Sequence, residues 1–311
     1  MNQFEKIYDV VSFIPKGKIS TYKEISRLTG IKNPRIVGFA LHVNPDIKNI
    51  PCHRVVSVNG NLTGYAMGGV KAKEHILKKE GVLFSKDGKA DINRSAYIFP
   101  KLLIFYFELL FKFDYPGKWP WFNVDKPHSK EEIAIGAILT QNTNWQNVQK
   151  AIENLRKQNA GSIEKIYNLK MDDLKQMIKP SGFYNQKAER LSLFCRFVTE
   201  NYKSLQGLSD IPTNSLREKL LSLKGIGNET ADTILLYALD KPVFVIDAYT
   251  KRFVERKNLT KSDNYDELKE FFETNLPRNL SSAKLLNLYQ NYHALIVKWA
   301  KTYKSKSEAF I

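Results

Sequence analysis

The chain has 311 residues, 43% of them hydrophobic and 12% aromatic. This excludes a disordered or low-complexity polypeptide, and at about 100–200 residues per domain it predicts two domains. Forty-eight Lys and Arg against 32 Asp and Glu give a formal charge of +16, which points to a polyanionic partner, DNA or RNA first. Two cysteines, Cys52 and Cys195, exclude a disulfide framework, a four-cysteine zinc site and an all-cysteine iron–sulfur cluster. They fit a reducing, cytoplasmic compartment.

The amino-terminal MNQFEKIYDVV is mixed and acidic, unlike a signal peptide. Helical spacing runs from Phe4 to Phe13 and stops at Pro15-Lys16-Gly17. Thr21 is placed to cap a helix from Tyr22 to Leu28, with Glu24 completing a capping box and Gly30 ending it. Asn33-Pro34 opens another helix, Arg35 to about His42, which stops before Asn44-Pro45. Two short helices joined by a tight turn form a helix-turn-helix pattern. Val55 to Val58 followed by Asn59-Gly60 reads as a hairpin, and Lys71 to Lys79 as a helix ended by Gly81.

The polar stretch FSKDGKADINRS, without hydrophobic period, sets the expected boundary: a first domain over 1–88, a linker over 89–96 and a second domain over 97–311. The net charge is +8 through Arg94 and +8 beyond it, so each half is suited to a phosphate backbone. Residues 97–113, YIFPKLLIFYFELLFKF, are strongly apolar but interrupted by Lys101, Glu108 and Lys112. They fall short of the ~20 apolar residues of a membrane span and read as a buried helix, so no membrane partner is expected. Beyond them, three-to-four spacing marks helices at 133–139, 145–155, 171–178, 186–202, 215–223, 228–239, 248–254, 265–274 and 283–303, with no strand series.

Two constellations carry chemistry. The first is Pro51-Cys52-His53-Arg54-Val55, with Glu80 downstream. A thiol attacks only as thiolate, and an imidazole oriented by a carboxylate can generate one. By itself a Cys–His pair is equally a small buried apolar residue beside a hydrogen-bonded histidine. The second is Leu223-Lys224-Gly225-Ile226-Gly227 between two helices, followed by Asp247 after the apolar run Val243–Ile246. A Gly-x-Gly turn lets backbone N–H groups approach a phosphate at a helix start. Asp247 is a candidate buried carboxylate, or an N-cap for the helix at Ala248. Trp119, Trp121 and Phe122 are candidates for stacking on an electron-poor base, or core aromatics.

Residues 4–82 resemble the active-site domain of O6-alkylguanine-DNA alkyltransferases. The likeness rests on Ile14-Pro15-Lys16-Gly17 with Thr21-Tyr22, Pro34-Arg35-Ile36-Val37-Gly38, Asn44-Pro45, Pro51–Val56, Gly64-Tyr65 and Lys79-Glu80-Gly81, in order. The resemblance implies that Cys52 accepts the alkyl group irreversibly, with His53, through a water, and Glu80 activating it. It makes Tyr22 the residue that rotates the target phosphate and helps protonate the departing guanine. Arg35 would fill the gap left by the flipped base, Asn44 would brace the turn before the active-site strand, and Tyr65 would line the alkyl pocket. The family's extra N-terminal domain is missing. Alkyltransferase-like proteins that only bind DNA replace the cysteine, whereas this chain retains it.

Residues 100–305 resemble the endonuclease III superfamily of DNA glycosylases. The likeness rests on Leu139–Thr143, Pro180–Ala188, the Gly225–Gly227 hairpin and Asp247. It implies that Asp247 is the catalytic carboxylate, that Gly225 and Gly227 face DNA, and that Gln141 wedges into the duplex. Where bifunctional members carry a Schiff-base lysine this chain has Glu229, which favours simple hydrolysis, and the four-cysteine cluster is absent. The Pro180–Ala188 stretch and the missing cluster look most like the cluster-free 3-methyladenine glycosylases.

The implied fold is multidomain: a small α/β-type winged helix-turn-helix alkyltransferase domain, then an all-α helix-hairpin-helix glycosylase domain. The implied function is a two-headed repair protein for double-stranded DNA containing alkylated bases, monomeric and without a cofactor or metal. The open alternatives are a glycosylase for oxidised or deaminated bases, and a damage-sensing protein with one inactive head.

Overall fold

The computed structural model of the chain describes residues 1–117 and 129–303. It divides into two compact units: Met1–Tyr115 with the short segment Thr274–Ser281, and Pro116–Glu273 with Ser282–Ile311.

The first unit begins with α1 (Gln3–Ser12), started by a complete capping box between Asn2 and Glu5. Strand β1 (Ser20–Thr21) leads into α2 (Tyr22–Thr29) and then α3 (Pro34–His42). Ile7, Val10, Val11, Ile25, Val37 and Ala40 on these three helices are fully buried. Thr21 caps α2 through Glu24 N, but the Glu24 carboxylate pairs with Arg27 on the same helix, so only half of the expected capping box forms. Gly30 ends α2 with φ +70°. Asn33 caps α3 through Arg35 N, with Pro34 in its first turn.

Strand β2 (Val55–Val56) corrects the hairpin expectation. It pairs parallel to β1, Ser20 opposite Val55 and Thr21 opposite Val56, while the Asn59-Gly60 turn closes on itself through Ser57. Burial decides the pairing, because Val55 and Val56 are both fully buried and an exposed two-strand ribbon would leave them in water. Helix α4 (Gly69–Lys79) follows and ends at Glu80, with Gly81 at φ +91°.

The linker expectation is corrected as well. Ile19 N donates to Ser95 O at 2.9 Å and Tyr97 N to Ile19 O at 2.7 Å, so the segment runs alongside the residue before β1. Ala90 joins a buried cluster with Ile19, Val56, Leu77 and Val82. After the short α5 (Ile92–Ser95), the apolar run forms α6 (Lys101–Phe113). Its Tyr106 and Phe107 rings pack edge-on against Phe13 of the same unit, and Tyr115 Oη donates to Asp9 at 2.7 Å. The apolar helix therefore completes the first unit rather than opening the second: a unit this small gains core area from it.

Among the described residues of the second unit the regular structure is helical: α7 (Lys130–Leu139), α8 (Trp145–Lys157), α9 (Ile163–Tyr167), α10 (Met171–Ile178), α11 (Tyr184–Tyr202), α12 (Thr213–Leu221), α13 (Asn228–Thr233), α14 (Ala248–Arg256), α15 (Tyr265–Asn275) and α16 (Ser282–Thr302). Helix α7 is buried on every side from Glu132 to Leu139, as its uninterrupted apolar run requires. Phe244 lies at the centre, stacked on Phe272 at 4.2 Å and edge-on to Tyr292. The helix expected over 228–239 changes register inside: α13 gives way to a π-helical turn at Ile234–Ala238. Such turns recur at functional sites because they redirect one side chain.

Candidate active sites

In the first unit, Cys52 is buried at the start of a single 3-10 turn, Cys52–Arg54, immediately before β2. The turn is braced from α3's exit. Asn44 Nδ2 donates to Ile50 O at 2.9 Å while Asn44 Oδ1 accepts from Asp46 N. His53 Nε2 lies 3.1 Å from Glu80 Oε1 at the end of α4. Arg54, to which the motif assigned no role, binds the same carboxylate with two nitrogens, at 2.9 and 2.6 Å, and donates a third bond to Ile14 O. Burial pushes Glu80 up, but the hydrogen bonds of His53 and Arg54 outweigh it and hold the carboxyl at about 2. A permanent carboxylate thus fixes the imidazole of the residue that follows Cys52, the arrangement that orients a general base.

Lys73 is a second residue the sequence reading missed. It is almost wholly buried on α4, donates to Val55 O at 2.7 Å and Thr63 O at 3.2 Å, and stands 5.8 Å from the Tyr22 ring. Burial pulls its amine down to about 8, against the opposing influence of Cys52. Tyr22 Oη accepts from Thr63 at 3.1 Å, and burial raises its pKa above the usual tyrosine range. The Tyr65 ring lies 6.4 Å from that of His53. Tyr22, His53, Tyr65 and Glu80 are therefore gathered near Cys52, and Arg35 is exposed on the first turn of α3.

In the second unit, α12 and α13 are joined by the Gly225-Ile226-Gly227 turn. Gly225 has φ +86°, and a Cβ there would lie 2.4 Å from Arg190 Nε. Gly227 starts α13 with an extended backbone. Gln141 is committed to this turn. Its Nε2 donates to Gly225 O at 3.0 Å and Thr230 Oγ1 at 2.9 Å, and its Oε1 accepts from Arg190. In this structure, which contains no DNA, the residue clamps the hairpin. Among the described residues Phe183 is an aromatic that does stand out, 66% exposed at the head of α11 with φ +46°. Its signal was a Phe inside the Pro180–Ala188 motif, where a polar loop residue would be expected.

Asp247 is both readings at once. It caps α14, Oδ1 accepting from Thr250 N at 2.7 Å, and its Oδ2 lies 3.2 Å from His293 Nε2 on α16. Burial pushes the carboxyl up, but His293 and the Thr250 N–H outweigh it and leave it below the usual carboxylate range. Glu229 on α13 is pushed up by desolvation and by the charge of Asp247, partly offset by His293 and Lys251. Cys195 is wholly buried in α11, and burial raises its thiol well out of the reactive range. Trp119, Trp121 and Phe122 lie outside the described residues. Among the described residues, no group of three or more His, Cys, Asp or Glu side chains is arranged to hold a metal ion.

A hairpin of helices beside a capped carboxylate, following a Pro-Cys-His-Arg unit, defines a DNA-repair class with two heads. Family models agree: residues 2–82 match the 6-O-methylguanine DNA methyltransferase DNA binding domain, and residues 135–278 match the HhH-GPD superfamily base excision DNA repair protein. The chain belongs to the HhH-GPD superfamily, with an alkyltransferase-type domain at its N-terminal end. It is 44% identical over 208 residues to the "Putative DNA repair glycosylase MJ1434" of Methanocaldococcus jannaschii, covering 64% of this chain and 90% of that one. The methylated-DNA–protein-cysteine methyltransferase of Methanothermobacter thermautotrophicus is 47% identical over 77 residues, 25% of this chain, which spans only 43% of that relative's length. Among solved structures, H. pylori 3-methyladenine DNA glycosylase (MagIII) bound to 1,N6-ethenoadenine is 33% identical over 63% of this chain and 92% of that one, with a TM-score of 0.52. An endonuclease III–DNA covalent intermediate at 17% identity, covering 64% of this chain and 84% of that one with a TM-score of 0.51, shares the fold.

Proposed function

We propose that the protein repairs alkylated double-stranded DNA by two chemistries, as a cytoplasmic monomer. The carrying observation is that each head keeps its reactive group together with the residues that would tune it: Cys52 with His53 and Glu80, Asp247 with His293 and the hairpin.

At the first head, His53 takes the Cys52 proton through a water and the thiolate attacks the alkyl carbon of O6-alkylguanine. The carbon–oxygen bond breaks, its electron pair stays on O6, and Tyr22 helps protonate the leaving guanine. The thioether is permanent, so each molecule turns over once. At the second head, the C1′–N bond of an extruded alkylated base breaks and its electron pair leaves with the base. Asp247 stabilises the cationic sugar and takes a proton from the water that adds at C1′. Glu229 offers no amine, so the strand stays intact. The similarity to a 3-methyladenine glycosylase at 33% identity, and a chain with only two cysteines, support 3-methyladenine as the base removed.

Incubation with duplexes carrying single lesions tests both heads. O6-methylguanine DNA should add one methyl mass to the Cys52 peptide, with no transfer in Cys52→Ala. 3-Methyladenine should be released, leaving a strand cut only after alkali and no borohydride-trapped adduct. Transfer that survives Cys52→Ala, or excision that survives Asp247→Asn, would overturn the corresponding half. Release of thymine glycol or 8-oxoguanine instead would overturn the alkylated-base assignment alone.

A further inference from the structure

We propose that His293 is the positioning residue of the excision site, a buried donor that fixes the direction of the Asp247 carboxylate from behind while Tyr237 and Gln290 fix the imidazole. The proposal rests on the reading of Asp247 as the excision carboxylate.

His293 lies on α16, 46 residues after Asp247 in sequence, and is only 4% exposed. Its two ring nitrogens face different partners. Nε2 lies 3.2 Å from Asp247 Oδ2, and Nδ1 lies 2.8 Å from Tyr237 Oη. Tyr237 sits in the π-helical turn, and its hydroxyl is also 3.2 Å from Gln290 O. Gln290 Nε2 in turn donates to Leu236 O at 2.9 Å, so the turn and α16 are tied at two successive residues.

The hydroxyl has one proton to give. If it goes to Nδ1, the imidazole is neutral and its proton is on Nε2. If it goes to Gln290 O, Nδ1 must itself carry a proton to donate to the hydroxyl. Nε2 then also carries one, because a lone pair aimed at a carboxylate 3.2 Å away is repulsive. Both arrangements place a protonated Nε2 beside Asp247, the second with a full positive charge.

Asp247 then has a partner at each oxygen, Oδ1 accepting from the Thr250 N–H and Oδ2 lying 3.2 Å from His293 Nε2, and both restrain its plane. A carboxylate that stabilises a developing cation must be ionised and aimed before the bond breaks, since reorganisation during the step would cancel the gain. The other charged groups facing the pair are Glu229 from α13, which feels both Asp247 and His293, and Lys251 from α14, which acts on Glu229.

The test uses the full chain. Single-turnover release of methylated bases from dimethyl sulfate-treated duplex DNA should fall on the order of 100-fold in His293→Leu, the usual effect of removing one preorganised donor. DNA affinity should be unchanged. The acid limb of the rate–pH profile should move to higher pH, because Asp247 loses the partner that keeps it ionised. His293→Gln, which keeps a neutral N–H, should recover part of the rate. A wild-type rate and acid limb in His293→Leu overturn the proposal.

A second readout does not depend on activity and covers the case in which His293→Leu fails to fold. The His293 ring N–H resonance, assigned by its loss in His293→Gln, should be visible and slowly exchanging in the wild type and should shift or vanish by exchange in Asp247→Asn, because Nε2 faces Asp247 Oδ2 at 3.2 Å. An unchanged resonance in Asp247→Asn overturns the proposal. A shifted resonance together with undiminished excision by Asp247→Asn would instead uphold the pairing and remove Asp247 from the reaction.

Discussion

Lys187 and Leu139 are joined end to end across the second unit. The Lys187 ammonium, buried in the first turn of α11, donates to the last carbonyl of α7 at 2.8 Å and to Ser181 O at 2.6 Å. The bond ties the loop that carries Gln141 to the corner that carries the exposed Phe183. Lys187→Met would leave both carbonyls unpaired in the interior, a loss of about 1–3 kcal/mol each. Burial, then Arg190, pulls the Lys187 amine from 10.5 to about 8. The unfolded chain therefore binds more protons between these values, and stability rises with pH across that window. Thermal unfolding from pH 8 to 10 should show this gain in the wild type and less of it in Lys187→Met. A parallel pH dependence of the two proteins would refute the assignment.

Glu80 has the opposite dependence. Held at about 2 against an ordinary 4.5, it contributes stability that is complete above the unfolded value and disappears as pH falls toward 2. The full contribution is on the order of 3 kcal/mol. Glu80→Gln should unfold the first unit more readily at pH 7, with the difference from wild type shrinking between pH 5 and pH 2. Alkyl transfer to Cys52 should slow at the same time, because His53 loses its orienting partner. A constant stability difference across that range would mean that Glu80 is not paired in the folded chain.

Gly225→Ala tests the hairpin. A left-handed backbone costs a non-glycine residue roughly 1–2 kcal/mol, and the new methyl would displace the Arg190 side chain that holds Gln141. The second unit should melt about 2–8 °C lower, and its affinity for duplex DNA should fall together with the turn's geometry. Unchanged melting with unchanged DNA affinity would show that the turn neither needs φ +86° nor meets the backbone of DNA.

Phe183→Asn separates a DNA contact from a packing role. The ring is exposed and its backbone is left-handed, a conformation asparagine tolerates better. Folding stability should be unchanged or slightly higher. Stacking on a base contributes about 1–3 kcal/mol, so duplex affinity and base release should drop about tenfold or more. Full excision activity in the variant would exclude Phe183 from the interface.

The local signals were legible in the chain because they act over a few residues. Asn33-Pro34 starts α3, Gly30 ends α2, the Gly225–Gly227 turn separates two helices, and Cys52, His53 and Asp247 stand inside short motifs. What the sequence could not decide was every choice made by burial between distant segments. Val55–Val56 could close a local hairpin or join β1, and only the buried environment on both sides selects the parallel pair. The apolar helix at Lys101–Phe113 could begin the second domain by its place in the chain, but Phe13 supplies the surface it covers. Gln141 has the right neighbours for a wedge, yet Gly225 and Arg190, more than 45 residues away, use both ends of its amide. Arg54 stands in a motif that gives it no role, and Lys73 and His293 carry no local mark at all. A side chain that acts by meeting a carbonyl or carboxylate from another helix is defined by that meeting, and packing alone brings it about.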